Sequence, residues 1–164
     1  MRRVMLAAAV SLAAVLPAGA EEGIITYKSL APDVAFDLAR AALLKCRTDG
    51  YQVAVVVIDR FGTPLVSVRD RYAGLGALEI ATGKAWTAVN FTRNTSDMIK
   101  AIKDGELSAG LATLPKVTML AGGLVIEAGG SLLGGVGVAG APGGDKDEAC
   151  AKAGLESVQD KLEF

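Results

Sequence analysis

Histidine is absent from all 164 residues, and its absence removes much of the usual chemistry of protein sites. Without an imidazole the chain cannot supply a Ser-His-Asp or Cys-His catalytic group, a histidine zinc site or a histidine ligand to haem iron. Cysteine is scarce as well. Cys46 and Cys150 are too far apart to form a C-x-x-C redox motif, so thiol redox chemistry of that kind is also excluded.

Long uncharged apolar runs are missing after the first twenty residues, so no later segment is a candidate to span a membrane. The N-terminus has Arg2 and Arg3, an apolar run over residues 4–16, and an A-x-A site at Ala18 to Ala20. This apolar run is shorter than the roughly 20 residues that a bilayer needs. We therefore expect residues 1–20 to be a signal peptide cleaved after Ala20. Residues 21–164 would then form one domain, periplasmic or secreted.

An excess of positive charge is also lacking. The chain has 17 basic and 18 acidic side chains, which gives no electrostatic reason to expect nucleic acid as a partner. In an oxidising compartment an even number of cysteines favours a disulfide, here between Cys46 and Cys150. Two separately buried thiols are the alternative that the sequence leaves open.

Apolar periodicity indicates helices alternating with short strands. A β-branched run with apolar residues at both parities predicts a central strand covered on both faces. The predicted elements are a helix from Pro32 to about Gly50, strands over 51–59 and 65–69 joined by a tight turn, a helix with the stripe Leu78, Ala81, Ala85 and Ala88, a short helix capped by Asn94 or Thr95, a loop over 107–115, three short strands in the glycine-rich part, and a helix over 145–162. Because turns connect most strands, we expect an α/β (α+β) fold with an antiparallel sheet flanked by helices.

Half of the 20 glycines lie between Gly122 and Gly144. Gly134, Gly135 and Gly137 resemble a phosphate loop, but they do not form the GxGxxG frame that opens a helix and no Walker lysine follows. We therefore interpret them as strand glycines that allow backbone or ligand to approach closely.

Charged side chains suggest several sites without deciding between them. Asp59, Arg69, Asp70 and Arg71 line a cleft or form surface ion pairs. Lys84, on the alanine-rich helix, reaches solvent or points at an acidic ligand. Asp145, Asp147 and Glu148 hold a hard cation or complement the dipole of the last helix, and we favour the helix explanation.

An ordered set of motifs resembles the GlcG/HbpS family of haem-binding proteins, in its exported branch. The match covers nearly all of residues 35–164. The motifs are Val55-Val56-Val57-Ile58-Asp59-Arg60-x-Gly62, Arg69-Asp70-Arg71-Tyr72-Ala73-Gly74, Lys84-Ala85-Trp86-Thr87-Ala88, Gly122-Gly123-Leu124, Gly129-Gly130, Gly134-x-x-Gly137-Val138-x-Gly140-Ala141-Pro142-Gly143-Gly144 and Asp147-Glu148-Ala149-Cys150-Ala151-x-Ala153-Gly154.

The resemblance implies an antiparallel sheet of about five strands, with a profilin-like or PAS-like outline, in a symmetric homo-oligomer. It also implies haem or a related tetrapyrrole as ligand, and a sensor protein as a possible partner. Exported members carry proline and histidine where this chain has Leu75 and Gly76. Haem binding would therefore use a tyrosine, methionine or lysine on iron, with Tyr72 as our first choice and Met119 as the second, or it would hold the macrocycle by apolar contact with basic side chains on its propionates. Arg69, Arg71 and Lys84 are the candidates for the propionates.

We therefore predict a haem-binding or haem-sensing protein without turnover. Two alternatives stay open: an accessory module that binds another small molecule, and a haem-degrading enzyme. The haem-degrading enzyme is the least favoured of these functions, since the sequence shows no set of residues suited to acid-base catalysis.

Overall fold

The computed structural model describes residue 23 and residues 25–162. The predicted signal peptide lies outside this part of the chain. The described helices and strands follow in chain order: α1 (Pro32–Thr48), β1 (Ala54–Asp59), β2 (Pro64–Arg69), α2 (Ala77–Phe91), α3 (Thr95–Lys103), β3 (Gly123–Ala128), β4 (Ser131–Ala139) and α4 (Gly144–Glu156). Short 3-10 turns occupy Ala109–Thr113 and Gln159–Lys161.

The strands form an antiparallel sheet in the order β2-β1-β4-β3. This confirms the predicted fold class, but the count of about five strands was wrong for the described residues, which contain four. Three short strands were expected in the glycine-rich part, and two are present. As expected for strand glycines, Gly134, Gly135 and Gly137 do not interrupt β4, which pairs with a strand on each side.

Helices cover both faces of the sheet. Val53, Val55 and Val57 pack with α1 and α4 on one face, while Val56 and Ile58 pack against α2 on the other. This confirms that β1 is central and covered twice. A disulfide between Cys46 and Cys150 joins α1 to α4, so the pairing that the sequence favoured is the one that forms.

The β4 glycines let a helix approach the sheet. A Cβ on Gly137 would lie 1.9 Å from the Ala81 carbonyl oxygen, and one on Gly135 would lie 3.2 Å from that of Ala85. The backbone of α2 therefore rests directly on β4. These glycines serve backbone packing, which agrees with their interpretation as strand glycines.

The last helix is shorter than predicted. It ends at Glu156 rather than Leu162, and a 3-10 turn follows it. In the part of the chain that the structure describes, no helix is both long and apolar enough to cross a bilayer.

Candidate functional site

The turn between β1 and β2 is fixed by its first residue. The Asp59 carboxylate accepts hydrogen bonds from the backbone N–H groups of Phe61 (2.8 Å) and Thr63 (2.9 Å). Gly62 takes φ +83°, a conformation that side chains other than glycine rarely adopt. The turn therefore presents Arg60 and Phe61 in a defined position.

Gly62 brings this turn against Trp86, the one tryptophan in the sequence. A Cβ on Gly62 would lie 3.1 Å from Trp86 Cδ1 and 3.3 Å from Trp86 Nε1. Trp86 projects from α2 and is only partly buried. One edge of the indole thus packs on the turn while part of the ring remains accessible.

A second segment reaches α2 beside the indole. The Thr118 N–H donates to Thr87 Oγ1 at 2.8 Å, and a Cβ on Gly83 would lie 2.2 Å from Thr118 Oγ1. Two residues earlier, Lys116 has φ 68°, in the left-handed region that a non-glycine residue seldom occupies. Such strained positions are concentrated at functional sites.

Two neighbouring cavities share Trp86 and Gly62. One, of about 460 Å³, also contains Glu79, Lys116 and Thr118. The other, of about 240 Å³, contains Arg60 and Asn90. We call these two cavities together the Trp86 cleft.

The Trp86 cleft is aromatic and more basic than acidic. Each of its two cavities carries one basic side chain, Arg60 or Lys116, and Glu79 is the one carboxylate among the lining residues. The Arg60 guanidinium lies 5.2 Å from the ring centre of Tyr27 and 5.8 Å from that of Phe61. A flat ligand with anionic groups fits this combination, because it can stack on the indole while its charges meet the two cations.

A separate cavity of about 430 Å³ lies between α2, the segment 119–121 and the start of α4. We call it the Lys84 cavity. Of the five residues predicted to bind ligand, the structure places Lys84 and Met119 in its wall. The remaining charged lining residues are Asp145 and Asp147, so acidic groups outnumber the basic one.

Lys84 is held in an internal ion pair. Its Nζ donates to Asp147 Oδ2 at 2.7 Å and to the Val138 carbonyl oxygen at 2.8 Å, and the side chain is 2% exposed. Burial lowers the pKa of Lys84, while the hydrogen bond and the charge of Asp147 act in the opposite direction. Neither sequence expectation, solvent or an acidic ligand, foresaw a carboxylate on α4 as the partner.

Arg69, Arg71 and Tyr72 lie elsewhere, at the end of β2 and in the loop before α2, and none of them lines the Lys84 cavity or the Trp86 cleft. Arg69 donates to the Ala73 carbonyl oxygen at 3.0 Å. The Arg71 guanidinium stacks 5.7 Å from the Tyr72 ring centre, and Tyr72 is 78% exposed. The proposed iron ligands Tyr72 and Met119 are therefore on different parts of the surface.

Three of the acidic residues that the sequence suggested as site residues, Asp70, Asp147 and Glu148, have partners within the protein. Asp70 is buried and pairs with Arg47 of α1. In the first two turns of α4, Asp147 accepts from the Ala141 N–H at 3.0 Å in addition to Lys84, and Glu148 pairs with Lys152. Among the residues that the structure describes, no group of three histidine, cysteine or acidic side chains is arranged to hold a metal ion.

Sequence reasoning missed the Trp86 cleft. The available signal was Trp86 itself, a tryptophan that lies off the apolar stripe of an otherwise alanine-rich helix. Nothing in the sequence indicated that Lys116 lies at this site, because the segment that contains Lys116 and Thr118 has no apolar periodicity.

Comparison with known proteins assigns the family. Residues 30–156 match the family model described as "Haem degrading protein HbpS-like". The fold and the family model together define an HbpS-like domain, and the chain belongs to the HbpS-like family.

Among solved structures, a double mutant of HbpS from Streptomyces reticuli is 38% identical, with a TM-score of 0.77 over 87% of this chain and 97% of the other. The crystal structure of a PduOC:haem complex is 29% identical, with a TM-score of 0.73 over 79% of this chain and 94% of the other. The corrinoid adenosyltransferase PduO of Citrobacter freundii is 34% identical over 105 residues, which are 63% of this chain. The matched region spans 31% of that curated relative's length.

Proposed function

We propose that this protein binds haem or a related tetrapyrrole in the Trp86 cleft. The observation that carries the proposal is the shared indole, which borders two cavities with one basic side chain in each. A tetrapyrrole is flat and carries two propionates, so it matches both features. The family model, and the similar PduOC structure solved as a haem complex, support the same ligand class.

The charges favour this cleft over the Lys84 cavity. Two propionates placed beside Asp145 and Asp147 would meet like charges, and the one lysine there is already paired. Lys116 has no ion-pair partner among the described residues. The chain can thus hold the macrocycle by stacking and charge, with iron ligation by Tyr72 or Met119 as the competing arrangement.

Comparing two ligands separates these arrangements. The protein is titrated with hemin and with iron-free protoporphyrin IX, and the Kd values are compared. Stacking and charge predict Kd values within about threefold of each other, since the iron adds little. Iron ligation predicts much tighter binding of hemin, and a Soret band that shifts in Tyr72→Phe or Met119→Leu.

A matched pair of lysine variants tests the site itself. Lys116→Ala removes a proposed propionate partner, and we expect a loss of about 1 kcal/mol, or roughly fivefold in Kd. Lys100→Ala is the control, because Lys100 is an exposed helix lysine paired with Asp104. Equal affinities for the two variants would exclude Lys116 from the site.

We further propose that the protein works without turnover, outside the cytoplasm and as a homo-oligomer of the exported branch. The Cys46–Cys150 bond supports the location, because disulfides persist in oxidising compartments. Cell fractionation with the intact mass of the recovered protein tests cleavage after Ala20. Light scattering tests the assembly, and co-purification tests a sensor partner.

The family description makes haem degradation the second candidate function. Hemin-loaded protein is given a reductant and oxygen in the presence of catalase. A haem spectrum that decays no faster than free hemin supports binding without turnover, and faster decay with a released product supports an enzyme.

A further inference from the structure

The Lys84 cavity combines a buried amine, a carboxylate and open space. Lys84 Nζ uses two of its three possible donors, on Asp147 Oδ2 and the Val138 carbonyl oxygen. Lys84 is one of the residues that line the cavity of about 430 Å³, whose wall is otherwise mainly apolar, with Met119, Leu120 and Ala121. A volume of this size is within the range of small-molecule sites, roughly 300 to 1,000 Å³.

Backbone geometry keeps this pair in place. Asp147 Oδ1 accepts from the Ala141 N–H at 3.0 Å, so the carboxylate is oriented from a second side. Gly122, at φ +114°, leaves the necessary space: a Cβ there would lie 2.8 Å from Asp147 Cβ and 3.1 Å from Lys84 Nζ. The amine and the carboxylate are thus fixed before any ligand enters.

This arrangement is the one that activates a lysine as a nucleophile. A lysine desolvated in a largely apolar site has more neutral amine at a given pH than an exposed one, and a hydrogen-bonded base can take its proton. For Lys84, burial is the largest effect on the pKa and lowers it. The paired carboxylate 2.7 Å away is within reach for proton transfer.

We propose that Lys84 captures small aldehydes or ketones as an imine in the Lys84 cavity. Asp147 first accepts a proton from the Lys84 ammonium, and the freed Nζ lone pair bonds to the carbonyl carbon while the C=O π bond breaks onto oxygen. Asp147 gives that proton to the oxygen, which yields the carbinolamine. It then accepts a second proton from the nitrogen and delivers it to the carbinolamine hydroxyl. The C–O bond then breaks, water leaves, and a C=N bond remains. Nothing is oxidised or reduced in this step.

The acidic lining suits this ligand class. An uncharged carbonyl compound meets no repulsion from Asp145 or Asp147, whereas a carboxylate or phosphate would. The proposal does not rest on tetrapyrrole binding, which we place in the Trp86 cleft.

The test is site-resolved trapping. The ligand-free full protein is incubated with limiting butanal and sodium cyanoborohydride, and the alkylated lysines are mapped by mass spectrometry. We expect Lys84 to be modified at least tenfold faster than Lys100, and to lose this lead when the protein is unfolded in guanidinium. Modification of exposed lysines first, with Lys84 last, would overturn the proposal.

Asp147→Asn separates a chemical from a purely structural role. Removing the carboxylate takes away a charge that raises the pKa of Lys84, so electrostatics alone predicts faster modification. Proton transfer through Asp147 predicts the reverse, a loss of at least tenfold. Asp104→Asn, the equivalent change at the exposed Lys100 pair, is the control and should leave the modification of Lys84 unchanged.

Because the readout is mass at one residue, it is independent of the Soret band. Unaltered hemin binding without modification of Lys84 would refute the imine and leave the tetrapyrrole proposal standing. Circular dichroism of each variant shows whether a loss of Lys84 modification reflects misfolding. The primary test uses the wild-type sequence and needs no substitution.

Discussion

Lys84 Nζ lies 2.7 Å from Asp147 Oδ2, and the two side chains are 2% and 5% exposed. The pair joins α2 to α4, which pack on opposite faces of the sheet. Two buried charges are tolerated when each is satisfied by its partner and by a further hydrogen bond; here Lys84 donates to the Val138 carbonyl oxygen and Asp147 accepts from the Ala141 N–H.

Breaking the pair from one side should be costly. Lys84→Met leaves Asp147 buried without its cation, and we expect a loss of about 3 to 5 kcal/mol in the free energy of unfolding. Urea unfolding measures it. The double variant Lys84→Met, Asp147→Leu should recover much of the loss, since no uncompensated charge remains; a double variant less stable than Lys84→Met would contradict this account.

The pair also predicts a pH dependence. Burial holds the pKa of Lys84 below its value in the unfolded chain, about 10.4, so between these two values the unfolded chain binds more protons. Stability contributed at Lys84 must therefore rise with pH across this window. Between about pH 8 and about pH 10, the free energy of unfolding of the wild type should increase relative to that of Lys84→Met, as measured with urea. A relative decrease would contradict a lowered pKa of Lys84.

The contact between β4 and α2 predicts a sharp difference between glycines. Gly137→Ala places a Cβ 1.9 Å from the Ala81 carbonyl oxygen, and because that atom is backbone we expect a loss of more than about 3 kcal/mol. Gly76→Ala is the control, since no atom lies within 4 Å of its Cβ. Similar unfolding midpoints for the two variants would show that α2 does not rest on this strand.

The disulfide should contribute about 2 to 5 kcal/mol. It closes a loop with a sequence separation of 104 residues, and reduction restores that freedom to the unfolded chain. Urea unfolding with and without dithiothreitol measures the difference. Titration of two free thiols in the denatured, unreduced protein would instead establish the alternative of separate cysteines.

The sequence predicted those features that local patterns determine. The doubly covered β1, the tight turn after Asp59 and the helix from Pro32 follow from periodicity and turn residues, and the structure confirms them. The strand count was wrong, since three short strands were expected in the glycine-rich part and the described residues there form two, β3 and β4.

The candidate sites depend on contacts that sequence distance conceals. Lys84 and Asp147 are 63 residues apart, and Thr87 and Thr118 are 31 apart. These contacts depend on how α2 packs on the sheet, and the residue pattern of one segment does not predict that packing. The roles predicted for Arg69, Arg71, Tyr72, Lys84 and Met119 stay predictions, and the Tyr72→Phe and Met119→Leu variants above test two of them.

A hemin titration of the wild type, Lys116→Ala and Lys100→Ala, read from the Soret band, tests the central claim most directly, because Lys116 lines the Trp86 cleft and Lys100 does not. The account predicts a saturable Soret change in all three proteins, with a Kd weakened roughly fivefold in Lys116→Ala alone. A saturating Soret change with a Kd that Lys116→Ala leaves unaltered would contradict binding in the Trp86 cleft.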